Sequence, residues 1–128
     1  MVVDTSALFA ILFKEPEAEL FKQLIAQDPV RLISAATLLE ATVVIESRRG
    51  EAGGNLLDLF LLRTGFEIVP VDADQVEVAR YAWRHFGKGR HPARLNFGDC
   101  FAYALAAIRR EPLLFKGEDF SRTDVPRF

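Results

Sequence analysis

Apolar and polar positions along the chain switch repeatedly between a two-residue and a helical rhythm. The switches mark strands that each feed a helix. Val2 and Val3 are β-branched and run into Asp4-Thr5-Ser6, after which Ala7 to Phe13 is apolar with helical character, giving strand, turn and helix. Lys14-Glu15-Pro16-Glu17 breaks the pattern, because proline disfavours helix in the residue before it and suits the first turn of the next. Apolar residues at Ala18, Leu20, Phe21, Leu24 and Ile25 then form a helical stripe, Asp28-Pro29 turns, and Val30 to Ser34 reads as a second buried strand. A helix is expected over Thr37 to Arg49, closed by Gly50, and another opening at Gly53-Gly54-Asn55, running to about Thr64 and ended by Gly65. Glu67 to Val71 has strand alternation. Asp72-Ala73-Asp74 leads into a helix from Gln75 to Phe86, with Asp74 and Glu77 as a capping box. Asn96 caps a helix to Arg110 that is apolar on every side from Phe101 to Ile108, the mark of a helix buried in the core. Pro112 to Phe115 is a last core strand, and the tail from Ser121 to Phe128 is expected to be partly extended. Alternating strands and helices imply a parallel sheet covered on both faces. The expected fold is a three-layer α/β/α domain over residues 1–128, with a mainly parallel sheet of four to five strands. No repeat, low-complexity tract or linker divides it.

Composition narrows the class. With 128 residues, 50% hydrophobic and 27% charged, the chain can build a core without staples. Its single cysteine, Cys100, excludes an intrachain disulfide and any Cys-based zinc cluster, and suits a reducing compartment. Ala7 to Phe13 has the length of a signal-peptide core, but Asp4 precedes it where positive charge belongs and Lys14-Glu15-Pro16 follows it instead of a cleavage site. No apolar run is long enough to span a membrane, so the expectation is a cytoplasmic protein without membrane contact. Sixteen basic against eighteen acidic residues leave a net charge of −2, so any polyanion must be met by a local patch. Gly87 to Arg94 is that patch: Lys88, Arg90 and Arg94 can hold phosphates, on glycines that make the segment mobile, or the segment is a solvated loop. His85 and His91 show no metal-ligand spacing.

Four acids stand where strands end or helices begin. Asp4 follows the first strand, where open α/β sheets place ligands, and Asp, Thr and Ser are also preferred helix caps. Glu40 stands three residues after Thr37, as in a capping box, yet Leu38, Leu39, Ala41, Val43, Val44 and Ile45 leave that carboxylate almost no wet face. Asp99 falls in the first turn of the apolar helix. Capping and helix-dipole effects there are worth under about 1 kcal/mol, less than the desolvation of an unpaired carboxylate, so something positive should face it if it is buried. Asp119 follows the last strand; Asp72 is a weaker candidate, because acids beside a helix start are commonly caps. In a parallel sheet Asp4, Glu40, Asp99 and Asp119 can all reach one crevice. Crowded carboxylates repel unless a cation intervenes, and Mg²⁺ or Mn²⁺ suits an all-oxygen site. The chemistry that follows is metal-assisted phosphodiester hydrolysis.

Val2-Val3-Asp4-Thr5-Ser6-Ala7-Leu8 with Glu40, then Leu95-Asn96-Phe97-Gly98-Asp99-Cys100-Phe101, then Leu113-Leu114-Phe115-Lys116-Gly117-Glu118-Asp119-Phe120, together resemble PIN-domain ribonucleases of the VapC toxin type. The motifs occur in order over nearly the whole chain. The resemblance implies a Mg²⁺-dependent endoribonuclease, the toxin half of a type II toxin–antitoxin pair. It further implies a homodimer, held inactive by a small antitoxin lying across the acidic groove. It makes Asp4 and Asp99 the metal ligands, adds Glu40 and a fourth acid at Asp119 to the catalytic set, and gives Ser6 a supporting role. The spacing after the last strand departs from the common pattern and leaves the fourth acid between Glu118 and Asp119. The RNA read is expected to be single-stranded or looped, where bases are exposed. Two other classes share part of the pattern. One is a receiver-type domain with Asp72 as phosphoacceptor and Lys116 as its strand-end lysine; the other is a non-catalytic RNA-binding module of PIN shape.

Overall fold

The computed structural model describes residues 1–128. Its elements are β1 (Val2–Val3), α1 (Thr5–Leu12), α2 (Ala18–Gln27), β2 (Leu32–Ser34), α3 (Ala35–Thr64), β3 (Glu67–Val69), α4 (Ala73–Phe86), α5 (Phe97–Arg109) and β4 (Leu113–Leu114), with a 3₁₀ turn at Phe120–Arg122. The four strands lie in the order β3-β2-β1-β4, all parallel, with Val2 opposite both Leu32 and Leu113 and Ile33 opposite Ile68. Side chains alternate across this sheet and divide the core in two. Val2, Leu32, Val69 and Leu113 pack with α4 and α5, whereas Met1, Val3, Ile33 and Leu114 pack with α1, α2 and α3. That is the three-layer arrangement expected, with four strands and every pair parallel.

The strands are short because polar residues at their carboxyl ends start helices at once. Asp4 caps α1 and Ser34 caps α3, each with an extended backbone and a side chain accepting a hydrogen bond from the N–H two residues on. All the chain's turns from strand to helix therefore fall along one edge of the sheet. β3 is one of the two outer strands, and Pro70, without an N–H to continue the ladder, follows its last residue.

Three boundaries differ from the pattern reading. Helix α3 begins at Ala35, with Ser34 accepting from Ala36 N at 3.3 Å, so Thr37 is already inside the helix and forms no capping box with Glu40. The expected pair of helices around Gly50 is present within α3 as two helices joined across a kink, where Gly50 adopts φ 67° and ψ −169°, but the second resumes directly after Gly50 and not at Gly53. Helix α4 is capped by Asp72, whose Oδ1 accepts from Gln75 N at 2.9 Å, while Glu77 pairs with Arg80 at 2.7 Å. For α5 the reading holds to the last turn. Asn96 caps it, and Gly98 through Ala106 are buried except for the partly covered Phe101, but Ile108 is 41% exposed where the helix runs past the sheet. The tail returns to the sheet, Arg127 bridging to Leu113.

Candidate active site

β1, β4 and the heads of α1, α3 and α5 converge on one sheet edge. Asp4, just past β1, is 3% exposed. Its Oδ2 accepts from Ser6 N at 3.0 Å and from Ser6 Oγ at 2.7 Å, while its Oδ1 is buried with no hydrogen-bond partner. Capping and ligand roles thus divide between the two oxygens of one carboxylate. Burial pushes the Asp4 carboxyl above its ordinary range, against the hydrogen bonds from Ser6 and Thr5 and with a further push from the charge of Asp119. Ser6 Oγ also accepts from Lys116 N at 2.9 Å, which ties the end of β4 to the end of β1. Ser6→Ala removes both ties; metal-dependent activity is expected to fall about tenfold, with about 1 kcal/mol lost in urea unfolding.

Asp99 sits at the third position of α5 and is 9% exposed. Its Oδ2 accepts from Asn96 N and Asn96 Oδ1 accepts from Asp99 N, both at 2.9 Å. Burial, joined by the charges of Asp4, Asp119 and Glu40 and opposed by the Asn96 hydrogen bond, pushes its carboxyl up to about 7. No ion pair includes Asp99, Asp4 or Glu40. The positive protein group expected opposite Asp99 is therefore absent, and the nearby charges are all negative. Glu40, half-buried in the second turn of α3, is raised by burial, against a hydrogen bond from Thr5 and with a further push from Asp4.

Of the two acids after β4, the charge of Asp119 reaches both Asp4 and Asp99, whereas Glu118 turns to Arg122 at 3.7 Å. Asp119 itself is exposed at the rim. The four acids chosen from the sequence thus share one electrostatic neighbourhood. They do not form a closed cage, since no three His, Cys, Asp or Glu side chains are grouped tightly enough to surround an ion. Mg²⁺ does not demand one: it binds through one or two carboxylates and keeps several waters. The unpartnered Asp4 Oδ1 and the uncompensated charge around Asp99 fit such an ion.

Other candidates resolve differently. Asp72 follows β3 and Lys116 follows β4, at opposite edges of the sheet, about 14 Å apart at the usual strand spacing. Lys116 instead pairs with Glu15, and with Glu17 at 3.1 Å. The receiver arrangement is therefore excluded. Burial pushes the Cys100 thiol up to about 11, which removes it as a nucleophile. Lys88, Arg90 and Arg94 are exposed and belong to no ion pair. Their loop is tied back on itself: Lys88 N donates to Leu95 O at 2.8 Å, Ala93 is buried, and His91 Nδ1 accepts from Ala93 N at 3.0 Å. Arg90 lies 5.9 Å from the Trp83 ring, and Arg94 stands two residues before the cap of α5, the helix that carries Asp99. Sequence reasoning missed Thr5, 7% exposed and close enough to Glu40 to oppose the rise of its carboxyl, because its capping preference explained it too readily. It also missed the exposed apolar side chains beside the site, Leu39, Val43 and Phe97.

A parallel three-layer domain with buried acids at its strand ends belongs with the nuclease-like α/β folds, and comparison makes the class specific. The family model of the PIN domain matches residues 1–126, and the chain belongs to the PIN-domain family. Within it the chain falls among the VapC proteins. It is 60% identical over 125 residues to Ribonuclease VapC of Mycolicibacterium smegmatis, covering 98% of this chain and 97% of the relative. It is 56% identical to Ribonuclease VapC30 of Mycobacterium tuberculosis, over 98% of this chain and 95% of that one. Among solved structures, Mycobacterium tuberculosis VapC20, a sarcin–ricin loop cleaving toxin, superposes with a TM-score of 0.78 at 23% identity, over 99% of this chain and 97% of that chain. VapBC2 of Rickettsia felis, bound to a DNA fragment from its promoter, gives 0.76 at 18% identity, over 98% and 94%. At those identities the two structures speak for the fold.

Proposed function

We infer that this protein is a Mg²⁺-dependent endoribonuclease and the toxin of a type II toxin–antitoxin pair, with Mn²⁺ as a substitute ion. The observation that carries the reading is an acidic pocket with two carboxylates almost wholly buried and no cation of the protein opposite them. Asp4 and Asp99 would hold the ion, with Glu40 and Asp119 completing the acidic set. Such an ion, when bound, activates water and offsets charge on the attacked phosphate. Ser6 and Asn96 fix the two principal carboxylates by hydrogen bonds of 2.7 and 2.9 Å, so these groups need little reorganisation during the reaction.

Lys88, Arg90 and Arg94 hold the RNA backbone on the flank. Replacing all three with glutamine is expected to weaken binding across RNA sequences and to lower the salt slope of log K by about 2, from ~0.7 per phosphate contact on single strands. A fluorescence-anisotropy salt titration reads this, and an unchanged slope would remove the loop from the interface. The antitoxin partner is supported by the close VapC relatives and by the exposed apolar side chains at the pocket rim, Leu39, Val43 and Phe97. A homodimer and a cytoplasmic location complete the proposal; no helix is long and apolar enough to cross a membrane. The direct test is cleavage of single-stranded RNA by the purified protein with Mg²⁺ and with EDTA. Cleavage should require the ion, and RNA left intact in its presence would reject the assignment.

A further inference from the structure

Gly98 occupies the second position of α5, between the exposed Phe97 and the buried Asp99. Its φ is not positive, so the backbone does not call for glycine there, and alanine is the better helix former. What glycine supplies is space. A Cβ at this position would stand 2.5 Å from Glu40 Cδ and 2.7 Å from Glu40 Oε1, with Oε2 nearer still. Real Cβ atoms do not approach other heavy atoms so closely, and all three nearest atoms belong to that one carboxylate. Gly87 shows the contrast, because its Cβ would collide with the backbone oxygen of Trp83 and would disturb the fold itself.

We propose that Gly98 is a positioning residue: the absence of a side chain there is the slot through which the Glu40 carboxylate reaches the acidic pocket beside Asp4 and Asp99. The inference rests on the nuclease reading and deepens it. The two sides of the contact differ in stiffness. Gly98 is held by the cap of α5, where Asn96 and Asp99 exchange two hydrogen bonds of 2.9 Å, and by buried Asp99 and Cys100. Glu40 meets it with the free end of a flexible side chain on the neighbouring helix. An added methyl therefore moves the carboxylate and leaves the helix in place. Glu40 is displaced toward the groove lined by Ala36, Leu39, Val43 and Phe97, away from the other acids.

The test is a cycle of Gly98→Ala, Glu40→Asp and the double variant, read by Mn²⁺ calorimetry, RNA cleavage and a crystal structure of Gly98→Ala. Gly98→Ala should unfold at or above the wild-type urea midpoint, yet bind Mn²⁺ and cut RNA about 10- to 100-fold less well. Aspartate is one methylene shorter and leaves the slot clear. In the Glu40→Asp background, Gly98→Ala should then add little, whereas a structural role for Gly98 independent of Glu40 would make the two losses multiply. Should Gly98→Ala fail to fold, recovery of folding by Glu40→Asp supports the slot and failure to recover overturns it. Wild-type cleavage by Gly98→Ala, multiplying losses, or Glu40 unmoved in the crystal would each overturn the inference. A wild-type protein that neither binds Mn²⁺ nor cuts RNA would instead overturn the nuclease reading, with the position of Glu40 in the variant crystal still deciding the role of Gly98.

Discussion

Asp4→Asn is expected to lose RNA cleavage by about 10³-fold or more while the protein becomes more stable, an unusual pairing for a change at a residue only 3% exposed. The loss follows from chemistry: the amide is neutral, and an ion held by two principal carboxylates loses half of its charged donors. Several kcal/mol of transition-state charge stabilisation go with it, and ~1.4 kcal/mol corresponds to each tenfold. The gain follows from electrostatics. Asp4 is buried, its carboxyl is raised by desolvation, and it adds repulsion at Glu40 and Asp99. Asparagine keeps the α1 cap, because its carbonyl oxygen can accept the Ser6 N–H as Oδ2 does at 3.0 Å, and asparagine ranks with aspartate at this position. Cleavage kinetics and urea unfolding in EDTA measure the two halves. Cleavage retained by the variant would remove Asp4 from the reaction; a large drop in stability would show that its carboxylate has a favourable partner in the protein.

Much of this was legible beforehand, and the reasons differ by residue. β1 and the head of α5 were readable because local signals agree there: β-branched residues before a run of caps, and an Asn-x-x-Asp box before an apolar helix. The start of α3 was not, since Ser34 and Thr37 are both good caps and only the sheet register, with Ser34 opposite Val69, decides between them. That choice matters for function, because it releases Glu40 from a capping box and leaves its carboxylate free for the pocket. Gly98 was invisible as a functional position for a similar reason: its significance is the carboxylate of Glu40 in front of it, fifty-eight residues away in sequence. The neighbourhood of Asp119 likewise needed coordinates, since Glu118 has the same charge and differs only in facing Arg122.

Burial of these acids, with their mutual repulsion added to it, makes stability depend on pH with a sign opposite to that of most acids. A carboxylate favoured by a partner has a lowered pKa and stabilises the fold as pH rises. Asp99 is raised from 3.8 to about 7, so between those values the folded protein binds more protons than the unfolded chain. Stability then falls as pH rises through that window and levels off above it. In EDTA, unfolding should require roughly 3 kcal/mol more at about pH 5 than at about pH 8 on account of Asp99, from ~1.4 kcal/mol per pH unit over about two units. Asp4 and Glu40, raised for the same cause, push in the same direction. Asp99→Asn should flatten the profile. Divalent ions reverse the trend, because protons and metal compete for one oxygen set and the carboxylate is free only above its pKa. The rise in melting temperature on adding Mg²⁺ is accordingly expected to be large at about pH 8 and small at about pH 5. A wild-type profile that rises with pH in EDTA, or a Mg²⁺ effect equal at both ends, would mean that the pocket acids are compensated within the protein and have no need of an ion.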